Sequence, residues 1–319
     1  MQCPKCEHVR KETEEAPDWQ CPKCGIAYHK FKSQPEPTEK KATLKPATDT
    51  APETKKGTTF KDVRVAILLL ILLFVALDNF FMKANTSDWD QPLRVVIYPI
   101  NGDQSEMSAS YIRSLNERGF APINQFMRRE AARYGIAIRD PLDISIGPVI
   151  AEIPPLPPRD ASVLNTILWS LNFRYWSYLN DAYDGPKPDI KIFALYYDTS
   201  VFKRLPHSTG IEQGMLSIVH AFGHRKMEKQ NNFVITHEML HTLGATDKYD
   251  LATNLPIFPD GYAEPNKAPR YPQQFAEIMG GRIPVKQGVV EAADGLNETI
   301  IGALTAWEIG WHTTEGGQE

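Results

Sequence analysis

Between Phe233 and Asp247 the chain reads Phe-Val-Ile-Thr-His-Glu-Met-Leu-His-Thr-Leu-Gly-Ala-Thr-Asp, an H-E-x-x-H-x-x-G-x-x-D pattern within an apolar helical stretch. His237 and His241 stand one helical turn apart, so both imidazoles leave the same face and can meet at one ion. Glu238 is rotated by about 100° from His237, which lets it reach a water beside that ion rather than the ion itself. Gly244 permits a positive φ that ends the helix. The chain can then swing back and present Asp247, six residues past His241. Two neutral nitrogens and one carboxylate leave a position open to water, which marks a catalytic zinc rather than a structural one. A bare H-E-x-x-H arises by chance in ordinary amphipathic helices. The added Gly244 and Asp247 make plain surface or core histidines the poorer reading.

The cysteines are strongly segregated. All four fall in the first 24 residues, as Cys3-Pro-Lys-Cys6 and Cys21-Pro-Lys-Cys24, with 14 residues between the pairs. That is zinc-ribbon spacing, in which each pair turns two thiolates toward one point and four thiolates close a tetrahedral shell. His8 and His29 lie nearby, but the four cysteines suffice. Two disulfides or a redox pair are the alternative, and a redox motif wants a βαβ setting that so short a segment does not supply. A module of residues 1–32 cannot fold on a hydrophobic core alone, so metal binding is expected to supply its folding energy.

Residues 33–62 are dominated by Pro, Thr, Glu, Lys and Ala, with Leu44 and Phe60 as the large apolar exceptions. Such a composition cannot offset chain entropy and reads as a disordered linker. An uninterrupted apolar run follows, Val65 to Leu77. Taken from Val63 to Met82, with Arg64 snorkelling at one end and Asp78-Asn79 near the other, it gives about 30 Å of helix and reads as one transmembrane span. Lys45, Lys55, Lys56, Lys61 and Arg64 precede it, whereas Lys83 and Arg94 follow. The positive-inside rule then places the ribbon in the cytoplasm and residues 84–319 outside the cytoplasmic (inner) membrane, on the periplasmic side. A reducing cytosol suits zinc-bound thiolates, and a cysteine-free exterior avoids unwanted disulfides.

Residues 84–319 are long enough for one substantial core. Strands are expected at Leu93–Ile100, Leu142–Ile153 and Ile190–Tyr197, and an edge strand at Met215–Phe222. Helices are expected at Ser105–Leu115 and Ile123–Tyr134, ending at Gly119 and Gly135. A long helix opens at Asp160-Ala161-Ser162 with Trp169, Phe173 and Trp176 facing the core, and others span Asn231–Gly244 and Gly295–Ile309. Residues 247–292 read as a proline-rich irregular stretch.

The helix motif resembles that of the metzincin clan of zinc metallopeptidases, H-E-x-x-H-x-x-G-x-x-H/D, here in its Asp form. A second match is Ala276-Glu-Ile-Met279-Gly280-Gly281, which looks like the Met-turn of that clan. The resemblance spans roughly residues 190–310, and residues 93–190 match nothing. It implies an α+β fold, a metzincin-like domain with a mixed sheet and an active-site helix. Met279 would form an apolar floor under the histidines, and the strand before the helix, Met215–Phe222, would hold extended substrate by β-augmentation. The third histidine of the usual motif is absent. Asp247 takes its place by position, while Glu264 or Glu277 would give the gluzincin arrangement.

Other residues carry weaker signals. His220 and His224 have i, i+4 spacing but sit in an expected strand and turn. Asp247, Asp250 and Asp260 lack EF-hand spacing for calcium. Asn297-Glu-Thr matches a glycosylation acceptor and equally well a helix cap. With Lys plus Arg at 35 against Asp plus Glu at 39, no basic surface for nucleic acid is expected. The expectation is thus a membrane-anchored zinc endopeptidase with one catalytic and one structural Zn2+. Glu238 would be the general base, a tyrosine among Tyr249, Tyr262 and Tyr271 would aid the oxyanion, and a protein or peptide would be the substrate. The ribbon would engage a cytoplasmic protein partner. The alternative is a non-hydrolytic envelope binding or sensing protein, which would have no need of Glu238.

Overall fold

The structure, a computed structural model, describes residues 89–311 apart from 159–161 and 213, together with 2, 3, 6, 8, 9, 11, 17, 20–24, 64, 65, 67–70 and 73. The chain divides into two compact units, Met1–Thr58 and Thr59–Glu319. The expected linker at 33–62 lies outside the described residues. So does most of the expected span at 63–82, of which Arg64, Val65, Ile67–Leu70 and Leu73 are helical with exposed side chains. Among the described residues no helix is long and apolar enough to cross a membrane.

A five-stranded sheet organises the larger unit. Its strands are β1 (Leu93–Asn101), β2 (Leu142–Ile146), β3 (Ile190–Tyr197), β4 (Thr209–Ile211) and β5 (Leu216–Phe222). Their order is β2-β1-β3-β5-β4. β1 pairs in parallel with β2 and β3, β3 in parallel with β5, and β4 alone runs antiparallel, against β5. Helices fill the crossovers: α1 (Glu106–Ser114) and α2 (Ala121–Arg133) between β1 and β2, and α3 (Val163–Leu179) between β2 and β3. The expected mixed sheet with helices is present, in a mixed α/β arrangement in which helical crossovers join the parallel neighbours.

Both sheet faces are covered, which is why the strands are apolar almost throughout rather than alternating. Val95, Ile97, Ile192, Ala194, Tyr196, Val219 and Ala221 face a core shared with α1, α2 and α4 (Glu228–Thr242). Val96, Tyr98, Ile100, Phe193, Leu195 and Ile218 face α3, whose Trp169 and Phe173 are buried and whose Trp176 packs beside them. The outer side of α3 leaves Val163, Leu164, Ile167, Leu168, Leu171, Tyr175, Tyr178 and Leu179 exposed.

Several boundaries differ from expectation for local reasons. α1 keeps the expected Ser105–Leu115 bounds to within a residue at each end, while Gly119 falls in a separate 3-10 turn, Glu117–Phe120, capped by Asn116. β2 ends at Ile146, where Gly147-Pro148 breaks the ladder, and Ile150 keeps one bridge to Ile100. Met215–Phe222 is not the edge, since β4 lies outside it. The expected helix at Gly295–Ile309 survives only as α5 (Ala303–Glu308). Thr299–Ile300 is instead a short strand, β9, parallel to β6 (Ala276–Glu277), with a hairpin of β7 (Ile283–Lys286) and β8 (Val289–Glu291) between them. Asn297 falls in a 3-10 turn and caps no helix.

Candidate metal centre

α4 is fixed to the sheet before it reaches the histidines. The side chain of Asn231 accepts from the Phe222 N–H and donates to the Phe222 carbonyl, both at 2.9 Å, clamping the start of α4 to the end of β5. Ile235, Met239 and Leu240 are fully buried, a contribution of about 1.5–3 kcal/mol each. On its other flank β4 runs against the helix. A Cβ at Gly210 would lie 2.5 Å from the Glu238 carbonyl oxygen and 2.7 Å from His241 Cβ, so only glycine lets the strand approach this closely. Gly244, at φ 98°, ends α4. The Ala245 N–H closes back on Leu240, and the chain returns toward the histidines at Asp247.

Three ligand-type atoms converge there. His237 Nε2 and His241 Nε2 are 3.1 Å apart, and Asp247 Oδ1 lies 3.2 Å from each. The corners of such a triangle are about 1.8 Å from its centre, just inside the roughly 2.0–2.2 Å at which imidazole and carboxylate hold zinc. The outer nitrogens are already committed. His237 Nδ1 is 2.9 Å from the Ile278 carbonyl and His241 Nδ1 is 2.7 Å from the Ala245 carbonyl, so each ring donates from Nδ1. In neutral rings both Nε2 atoms then carry lone pairs and face each other and an anionic oxygen, which calls for a cation between them. Burial by itself would raise the Asp247 carboxyl, but the two imidazoles override it and hold it well below the usual carboxylate range.

Glu238 stands beside this triangle and belongs to the metal-capable group with His237 and His241. Its side chain is buried, and its Oε2 has no hydrogen-bond partner, a costly state for a carboxylate oxygen unless it serves a ligand or water. Burial raises its pKa, partly offset by the neighbouring imidazoles. Glu238 and His237 line a cleft of about 650 Å³ with His220, Tyr249 and the segments 203–208 and 280–282. That volume accommodates a few residues of peptide.

The remaining expected residues sort clearly. Met279 is fully buried, and the turn it occupies supplies the Ile278 carbonyl to His237 and the Met279 carbonyl to the Lys248 N–H at 2.9 Å. Glu277 is not a ligand. Its carboxylate accepts from Gly280 N, Gly302 N and Thr305 Oγ1, bracing the turn from below. Glu264 accepts instead from Gln274 N, beside Lys267. Of the tyrosines, Tyr249 is at the cleft, its ring 6.5 Å from that of His237, and burial pushes its phenol up to about 12. Tyr262 and Tyr271 bond to each other at 3.0 Å. Asp250 is taken up in a turn with Thr253, and no group of Asp247, Asp250 and Asp260 forms among the described residues.

His220 and His224 form no metal pair. His224 caps the turn at Lys226, while His220 sits on β5 with Nδ1 3.0 Å from the Tyr197 hydroxyl. Burial lowers the His220 pKa from 6.5 to about 4. A folded value below the unfolded one gives stabilisation that is complete above pH 6.5 and is lost as pH falls toward 4. The loss is about 3 kcal/mol. Thermal melts between about pH 7 and 4.5 should therefore fall more steeply for the parent than for His220→Gln. Parallel slopes would remove His220 from the acid response.

In the first unit the four sulfurs lie within 4.8 Å of one another, with Cys3 to Cys24 and Cys6 to Cys21 both at 3.7 Å. The cysteines are free, so the disulfide alternative does not hold. A tetrahedron with metal–sulfur bonds of about 2.3 Å has edges of about 3.8 Å, which matches. A bridge between Gln2 and Val9 and the Cys3 N–H to His8 carbonyl bond shape the first knuckle.

The chain matches no family model, and no curated protein sequence matches it. The site thus stands on its own geometry. Sequence reading missed the Asn231 clamp, the two carbonyls that orient the imidazoles, and the bracing role of Glu277. Spacing signalled none of these, because each joins segments distant in the chain or uses backbone atoms.

Proposed function

We propose that residues 89–311 form a zinc-dependent endopeptidase of metzincin type, with His237, His241 and Asp247 as ligands and Glu238 as general base. One observation carries this reading: two imidazole nitrogens and a carboxylate oxygen meet beside a buried carboxylate whose second oxygen is unpartnered. When bound there, zinc would polarise a scissile carbonyl and acidify an attacking water.

The chain's own residues supply the rest. Glu238 Oε2 is free to accept the proton of the attacking water, and its raised pKa lets the same carboxyl return that proton to the leaving amine. Tyr249, protonated at neutral pH, stands on the cleft as a donor to the carbonyl oxygen. β4, rather than the strand expected from sequence, offers the open sheet edge against which an extended peptide would pair. The carbonyls of Ile278 and Ala245 hold the imidazoles in the ligating tautomer.

For the remainder of the chain, the four thiolates support a structural zinc that docks a cytoplasmic partner. The apolar run Val63–Met82 supports a membrane anchor that places the peptidase on the outer side. The full chain in detergent, supplied with zinc, should cleave casein, stop on chelation and resume when zinc is returned. A folded, zinc-loaded chain that leaves casein and varied peptides intact would refute the proposal.

A further inference from the structure

The cleft that holds Glu238 carries an unbalanced charge. Its walls contain Lys203 and Arg204 on the segment leading into β4, and Arg282 just after the 276–281 turn, whereas Glu238 is the single carboxylate lining it. This runs against the chain as a whole, whose net charge is −4. Arg204 and Arg282 are exposed, and neither makes an ion pair or side-chain hydrogen bond with any described residue. Lys203 donates to the Thr199 carbonyl, which leaves its charge without a counterion. The two arginines sit on separate segments, 203–208 and 280–282, each adjacent to an element of the site: β4 on one side and Met279 on the other. A peptide entering the cleft beside Glu238 therefore meets unpaired positive charges on two segments of its lining, and guanidinium forks suit carboxylates.

We propose that Arg204 and Arg282 select substrates that place a carboxylate next to the cleaved bond. The inference rests on the peptidase reading and adds the substrate class to it. The carboxylate has two sources, an Asp or Glu side chain or the free C-terminus of a short peptide, and the test separates them. Exposed pairs of this kind change affinity by a factor of roughly two to five each, so the pair together accounts for about tenfold, weakening with salt.

Quenched fluorogenic peptides of one core sequence, neutral or with flanking Asp and Glu, each amidated or with a free C-terminus, are offered to the full zinc-loaded chain. Acidic peptides should show kcat/KM about tenfold above neutral ones. The ratio should fall toward one in R204Q/R282Q and at high salt, and recover in R204K/R282K. A gain confined to free C-termini assigns the arginines to the terminal carboxylate, and a gain in amidated acidic peptides assigns them to side chains. Anisotropy of labelled, uncleaved peptides on Glu238→Gln protein gives the same ratio without hydrolysis. Acidic preference in binding with no cleavage by the parent would sink the peptidase reading and keep only the recognition of carboxylates by Arg204 and Arg282. Cleavage with equal rates and equal binding for acidic and neutral peptides would do the reverse, as would a preference that persists in R204Q/R282Q.

Discussion

Glu238→Gln lowers casein hydrolysis by about 10³-fold while the zinc content of the chain stays at the parent value. The change keeps the shape of the side chain and removes the basic oxygen. In the parent, Oε2 is buried without a partner, so it has basic capacity to spare. It does not belong to the triangle of His237, His241 and Asp247, so ligation survives its loss. Metal analysis and casein assays on the same preparation check both halves. Parent-like cleavage by the variant would dismiss Glu238 as the base and leave the metal site without a mechanism.

His237→Ala has the opposite signature. The full chain should fall from about two zinc ions to about one, with hydrolysis below detection, because two ligands hold a catalytic ion far less tightly than three. The remaining ion belongs to the cysteines, and a Cys6→Ser/Cys21→Ser chain should lose that one instead and keep its hydrolysis. Elemental analysis of the two variants separates the sites, and far-UV circular dichroism confirms that His237→Ala folds. An unchanged zinc content in His237→Ala would place the second ion elsewhere and undo the ligand set.

The legible part of this chain was the part whose spacing is local. His237, Glu238 and His241 share a turn of helix, and Asp247 follows one glycine-ended turn later, so a short string of residues encodes the triangle. The cysteine pairs are local in the same way, as are β1 and β3, whose largely apolar runs match their strands almost residue for residue. What failed to show was set by distant partners. The helix expected at Gly295–Ile309 gave way because Glu277 captures the Gly302 N–H and Thr305 hydroxyl and β9 pairs with β6. Met215–Phe222 lost its edge position to Thr209–Ile211, three residues too few to register as a strand in sequence. The parallel sheet likewise emerged from crossovers, which no single segment announces.

β4 has a consequence for local stability. It is three residues long, carries Gly210 at its centre, and has β5 as its single strand partner. Amides in so short a border strand exchange through small openings that leave the rest of the sheet intact, whereas those of β1 and β3 wait for global unfolding. The strand that follows the cleft-lining segment 203–208 can therefore loosen and re-form without unfolding the rest of the sheet, and an incoming extended chain would tighten it by supplying the missing neighbour.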